Sequence, residues 1–197
     1  MDDVVACLLL FIVVILYMTS SAPERFRRSW FWGVTTFLWT TTLAYFRSKG
    51  KIALAVATSS IASLLFPSGR TAHSRFKIPI DFTHNVACNI TKKTMLVELL
   101  KVTSIIVWDE APMSDRNCFE CLDRSLRDII ECVSKAFGGM SMLLGGDFRQ
   151  TLPVSPRSTP SEIISLTLPN SYLWQYFKLY KLTDNMRLGN SSTSFDT

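Results

Sequence analysis

Residues 105–113 read IIVWDEAPM, four apolar residues followed at once by Asp109 and Glu110. A run this short, apolar and β-branched predicts a strand buried on both faces. It delivers two adjacent carboxylates to its C-terminal end. Such a pair suits metal-assisted nucleotide hydrolysis, with Asp109 holding magnesium and Glu110 orienting or deprotonating the attacking water. Two solvated charges at a strand-to-helix turn are the plainer reading of the same residues.

Working outward, residues 140–154 read MSMLLGGDFRQTLPV, a second strand that ends in Gly146, Asp147, Phe148, Arg149 and Gln150. In open α/β sheets ligands bind at that end of the strands. The glycines permit close backbone approach and Gln150 could sense a terminal phosphate, although a glycine turn with charged neighbours would look the same. Upstream, IALAVAT at 52–58 is a short strand bounded by Ser59 and Ser60, and TFLWTTTLAYF at 36–46 has helical spacing with Gly50 as its C-cap. Further helices are expected over 60–66, before Pro67 and Gly69, over 91–100, over 115–137 and over 172–177, with a last strand at 178–183. Alternating strands and helices predict a doubly wound, mostly parallel α/β sheet.

The chain has 197 residues, enough for one hydrophobic core, and a net charge of +5. That charge gathers in Arg25, Arg27, Arg28, Arg47, Lys49 and Lys51, where it would attract phosphate or follow a membrane segment. The 5 cysteines are odd in number and irregular in spacing, which argues for reduced thiols. Cys118 and Cys121 form a CxxC pair within a helical pattern, open to zinc binding but read first as buried structural thiols.

Residues 4–18, VVACLLLFIVVILYM, are uninterrupted apolar sequence. As a helix they would span about 22 Å, less than the roughly 30 Å hydrocarbon layer. A secretion signal, a membrane anchor and a non-native leader all remain open readings. The expected organisation is a hydrophobic N-terminal helix and basic linker over 1–28, a domain over 29–188 and a disordered tail over 189–197.

Four ordered segments carry a resemblance: GKIALAVATSSIASLLFPSGRTAHSRFKIPI at 50–80, SIIVWDEAPM at 104–113, LLGGDFRQTLPV at 143–154 and LYKLTDNMRL at 179–188. They resemble consecutive motifs of Pif-type DNA helicases of superfamily one, including those linked to plant Helitron transposons. The resemblance implies a RecA-like P-loop NTPase domain, the first half of a helicase motor, with ATP and Mg2+ as cofactors. It implies 5′ to 3′ unwinding of DNA in repair, recombination and telomere maintenance, and a nuclear location that conflicts with the hydrophobic leader. Asp109 and Glu110 match the family's Walker B pair, Gln150 its nucleotide-sensing glutamine and Arg187 an arginine near the terminal phosphate. Thr58, Ser59, Ser60, Thr71, His73 and Ser74 match segments lining the single-stranded DNA path, with Arg70, Arg75 and Lys77 beside them. For His73, a packed loop histidine is the reading without the family. Partners implied are single-stranded and duplex DNA, a second chain supplying the other RecA-like domain, and a membrane if the leader is retained.

The pattern departs from the family at the phosphate loop. The stretch at 29–39 reads SWFWGVTTFLW. Anchored on Phe37, Leu38 and Trp39, it puts Thr36 at the magnesium-binding threonine, Thr35 in place of lysine, Val34 in place of glycine and Ser29 in place of the loop's first glycine, with Gly33, Thr35 and Thr36 the nucleotide-binding candidates of the stretch. A P-loop needs glycine geometry to wrap N–H groups around phosphates and lysine to neutralise them. Weak or absent ATP hydrolysis is therefore expected, and the alternative function is a pseudo-ATPase that binds DNA or a partner.

Overall fold

In the computed structural model the described residues are 11–16, 24–81, 86–147, 152–155 and 158–182, with 11–16, 24–35 and 181–182 described in backbone only. Six strands form one sheet: β1 (Phe11–Leu16), β2 (Ile52–Ala57), β3 (Arg70–Thr71), β4 (Thr103–Asp109), β5 (Ser141–Gly146) and β6 (Lys178–Leu182). Their order is β3-β2-β4-β5-β1-β6 and every pairing is parallel. The helices are α1 (Glu24–Ser48), α2 (Ser60–Ser63), α3 (Ala72–Phe76), α4 (Met95–Val102), α5 (Arg116–Ile130) and α6 (Pro160–Ser165).

Parallel strands are covered on both faces, so their side chains divide between two apolar layers. On β4, Ile105 and Val107 join Trp39 and Leu43 of α1, with Ala53, Ala55 and Ala57 of β2. The intervening Ile106 and Trp108 join Phe119, Leu122 and Leu126 of α5 in the larger layer. The three small alanines fall on the face that receives the bulky Trp39.

The apolar leader does not form the expected helix over 11–16. These residues are the strand β1, held between β5 and β6, with Ile15 opposite Gly146 and Leu16 opposite Leu182. The segment FIVVIL is rich in β-branched residues, and a continuous apolar run lacks the periodicity that separates a buried strand from a helix. Two partner strands satisfy its backbone groups. Among the described residues no helix is long and apolar enough to cross a membrane; the remainder of 4–18 and the tail at 189–197 lie outside them.

The long helix expected over 115–137 stops at Ile130. Glu131 turns left-handed at φ 58° as its C-cap, and a short 3-10 turn follows at Ala136–Gly139. Asp123, 1% exposed, draws the chain back. It accepts hydrogen bonds from the Phe137 backbone N–H and the Tyr172 hydroxyl and pairs with Arg127 at 2.9 Å. Gly138, at φ 63°, then passes so close that a Cβ would lie 2.7 Å from the Leu126 carbonyl.

Candidate active site

The strand register brings the chemistry to one edge. Ala57 lies opposite both Asp109 and Thr71, and Trp108 opposite Leu144, so the C-terminal ends of β2, β3, β4 and β5 are level. The end of β1 joins them through the pairing of Ile15 with Gly146. Residues far apart in sequence thereby share the edge at which such sheets bind ligands.

Asp109 closes β4 and is 4% exposed. Burial, the largest influence, pushes its carboxyl up to about 6; the Trp39 indole and the Glu110 backbone N–H oppose the rise, and the Glu110 charge adds to it. Trp39 and Asp109 meet without completing hydrogen-bond geometry, since both Trp39 Nε1 and Asp109 Oδ1 are buried without a partner. Glu110 takes a left-handed conformation, φ 54° and ψ 34°. That conformation is costly for a residue with a Cβ and is concentrated at functional sites. Its Oε2 is also buried and unpartnered.

Two glycines make room for this arrangement. A Cβ on Gly145 would stand 2.0 Å from Trp39 Cζ2, and one on Gly146 would stand 2.2 Å from Pro112 Cδ. The sequence GG thus lets α1 seat its indole on one side of β5 and the turn after Glu110 approach on the other. Asp147 follows, buried at the same edge.

Thr58 ties β2 to this turn. Its N–H donates to the Asp109 carbonyl at 3.1 Å and its hydroxyl to the Glu110 carbonyl at 2.8 Å. The same oxygen accepts from Trp108 Nε1 at 3.1 Å and lies 2.7 Å from Ser114 Oγ. With its single proton committed to Glu110, Thr58 must accept from Ser114. This hydroxyl therefore faces inward and holds the carboxylate turn.

Of the other residues expected along a DNA path, Ser59 is the N-cap of α2 and accepts from the Ala62 N–H at 3.2 Å, while Ser60 begins that helix, exposed. Thr71 caps α3 by accepting from the Ser74 N–H at 3.3 Å, and the Ser74 side chain is exposed. His73 is half-buried, with Nε2 3.7 Å from Cys118 Sγ, and burial lowers its pKa, favouring the neutral ring. Nearby, Arg75 donates to the Ser68 carbonyl at 2.8 Å. Partial burial and then the nearby Arg70 charge lower its pKa.

Gly33, Thr35 and Thr36 all lie inside α1. Thr36 is one turn before Trp39 on the same side of the helix, and its carbonyl accepts from Thr40 Oγ1 at 2.7 Å. Gln150 and Arg187 lie outside the described residues. The sequence reading missed the supporting roles of Trp39, Ser114 and Pro112. Trp39 was legible as a large apolar residue at helical spacing, but its neighbour across the sheet was not.

The orphaned oxygens of Asp109 and Glu110 are a fit for a hard cation and an activated water. Magnesium commonly takes only one or two carboxylates, the rest of its shell coming from water and nucleotide phosphates. Among the described residues no cluster of three or more His, Cys, Asp and Glu side chains is arranged to hold a metal. A cation at Asp109 would accordingly depend on ligands brought by the nucleotide.

Known proteins resemble this chain in sequence and in fold. Residues 29–197 match the family described as PIF1-like helicase. The chain is 25% identical over 145 residues to the ATP-dependent DNA helicase Pif1 of Psychrobacter sp. (strain PRwf-1), covering 73% of this chain and 22% of that protein. It thus spans about a fifth of the length of that curated relative. The crystal structure of Bacteroides sp Pif1 in complex with ADP-AlF4 superposes with a TM-score of 0.70 at 25% identity, covering 92% of this chain and 40% of that one. Bacteroides Pif1 bound to ssDNA gives a TM-score of 0.68 at 25% identity, covering 90% and 39%. The expected RecA-like α/β architecture is the one the chain adopts.

Proposed function

The chain belongs to the PIF1-like helicase family, and from that premise we propose that it is the first motor domain of an ATP-dependent DNA helicase with an attenuated grip on phosphate. The observation that carries this reading is the pair of buried, unpartnered carboxylate oxygens of Asp109 and Glu110 at the C-terminal end of β4. Asp109 would hold Mg2+ together with Thr36, and Glu110 would orient the attacking water. Gln150 would sense the terminal phosphate and Arg187 would neutralise charge in the transition state.

The attenuation follows from α1. Backbone N–H groups inside a helix are committed to carbonyls four residues back, so residues 33–36 cannot also wrap a phosphate. Neither Val34 nor Thr35 replaces the charge of lysine. Turnover is therefore slow, and 5′ to 3′ unwinding in repair, recombination or telomere maintenance requires a second RecA-like domain, supplied in cis or by another chain. Thr58, Ser59, Ser60, Thr71, His73 and Ser74, with the basic Arg70, Arg75 and Lys77, would form the single-stranded DNA face, acting through backbone and capping groups as well as side chains. Duplex DNA would be engaged ahead of it and the site of action would be nuclear, unless residues 4–18 associate with a membrane.

A second reading, a pseudo-ATPase that retains DNA binding, is favoured by the helical course of residues 33–36. Magnesium-ATP binding and hydrolysis by the full chain, with and without single-stranded DNA, separates the two. Slow, DNA-stimulated turnover abolished by Glu110→Gln supports the motor domain; salt-dependent DNA binding with no turnover supports the pseudo-ATPase. Turnover equal to that of a complete helicase overturns the attenuated grip, and absence of DNA binding at low salt overturns both.

A further inference from the structure

Two of the cysteines meet within the larger apolar layer. Cys88, distant from the CxxC pair in sequence, has its Sγ 3.5 Å from that of Cys121, and both side chains are buried. The backbone around Cys88 is already fixed on α5: its N–H donates to Ser125 Oγ at 2.7 Å, and Arg124 donates to the Val86 carbonyl at 2.7 and 3.0 Å. Ser125 Oγ in turn donates to the Cys121 carbonyl at 2.9 Å. Cys118, the other half of the CxxC pair, faces His73 instead.

We propose that Cys88 and Cys121, not the sequence-adjacent Cys118 and Cys121, are a peroxide-responsive thiol pair whose disulfide fastens the 86–90 segment to α5. The sulfurs stand only about 1.5 Å outside bonding distance. Either thiol can donate to the other across this contact. Whichever thiolate meets hydrogen peroxide displaces hydroxide from it to give a sulfenic acid. The other sulfur then attacks that sulfenic sulfur and expels hydroxide, which takes up the attacking thiol's proton as water. The net change is two thiols and one peroxide to one disulfide and two waters. The Asn89 N–H donates to the Lys77 carbonyl at 2.9 Å, so the cross-link also secures the residues that follow α3.

The test is peptide mapping of the full chain after peroxide treatment, alkylation of remaining thiols and digestion without reductant. The expected product is a peptide pair linked through Cys88 and Cys121, cleaved by dithiothreitol, with Cys7, Cys118 and Cys132 recovered alkylated. The oxidised protein melts at a higher temperature than the reduced protein, and the difference disappears with Cys88→Ser. A Cys118–Cys121 link, or Cys88 and Cys121 both recovered alkylated under peroxide that oxidises other thiols, overturns the proposal. The mapping uses the unaltered chain, so it remains decisive even if a serine variant fails to fold.

Discussion

Replacing Thr58 with valine keeps the side-chain shape and deletes one hydroxyl, which isolates the polar hub behind the carboxylate turn. That oxygen serves the Trp108 indole, the Ser114 hydroxyl and the Glu110 carbonyl at 2.7–3.1 Å. Trp108 is 0% exposed and Ser114 3%, so water does not take its place. Each buried polar group left unpaired costs about 1–3 kcal/mol, and Ser114 can rotate toward another acceptor, so Thr58→Val should destabilise by about 2–4 kcal/mol. For a chain of this size that lowers the melting midpoint by roughly 5–15 °C. Thr58→Ser retains the hydroxyl and should lose only about 1 kcal/mol for its missing methyl group. Urea titration of both variants, with a double-mutant cycle against Ser114→Ala, measures the difference; a coupling of about 0.5–2 kcal/mol is expected for the contact. If valine comes within about 0.5 kcal/mol of wild type, or serine is as damaging as valine, the hub does not hold the turn.

Three further outcomes follow from the same geometry. Gly145→Ala places a Cβ 2.0 Å from Trp39 Cζ2 and should cost about 1–3 kcal/mol or more, with partial recovery in the double variant carrying Trp39→Leu, read by thermal melting. The carboxyl of Asp109 is raised from 3.8 to about 6. Its neutral form is therefore favoured by folding; that stability is fully present below the unfolded value and is lost as pH rises from about 4 through 6. Comparing urea stability at pH 4 and pH 7, Asp109→Asn should abolish a drop on the order of 2–3 kcal/mol. Asp123→Ala strands Arg127, Tyr172 and the Phe137 N–H, and should destabilise by about 3–5 kcal/mol, measured by urea unfolding.

The sequence by itself determined the two carboxylate-bearing and glycine-bearing strands, because β4 and β5 are short apolar runs closed by residues that do not continue them. It also determined the parallel α/β class, from the alternation of such strands with amphipathic helices. The tertiary structure alone decided that 11–16 is a strand, since an unbroken apolar run has no period and only the open edges of β5 and β6 give its backbone partners. It decided where α5 ends, because the buried Asp123 captures a backbone N–H fourteen residues away. Similarly, the seating of Trp39 beside Asp109 and the pairing of Cys121 with Cys88 depend on contacts between elements remote in sequence. Local spacing specifies which residues share a strand or a helix face; which face meets which is fixed only when the layers close and most buried polar groups find partners.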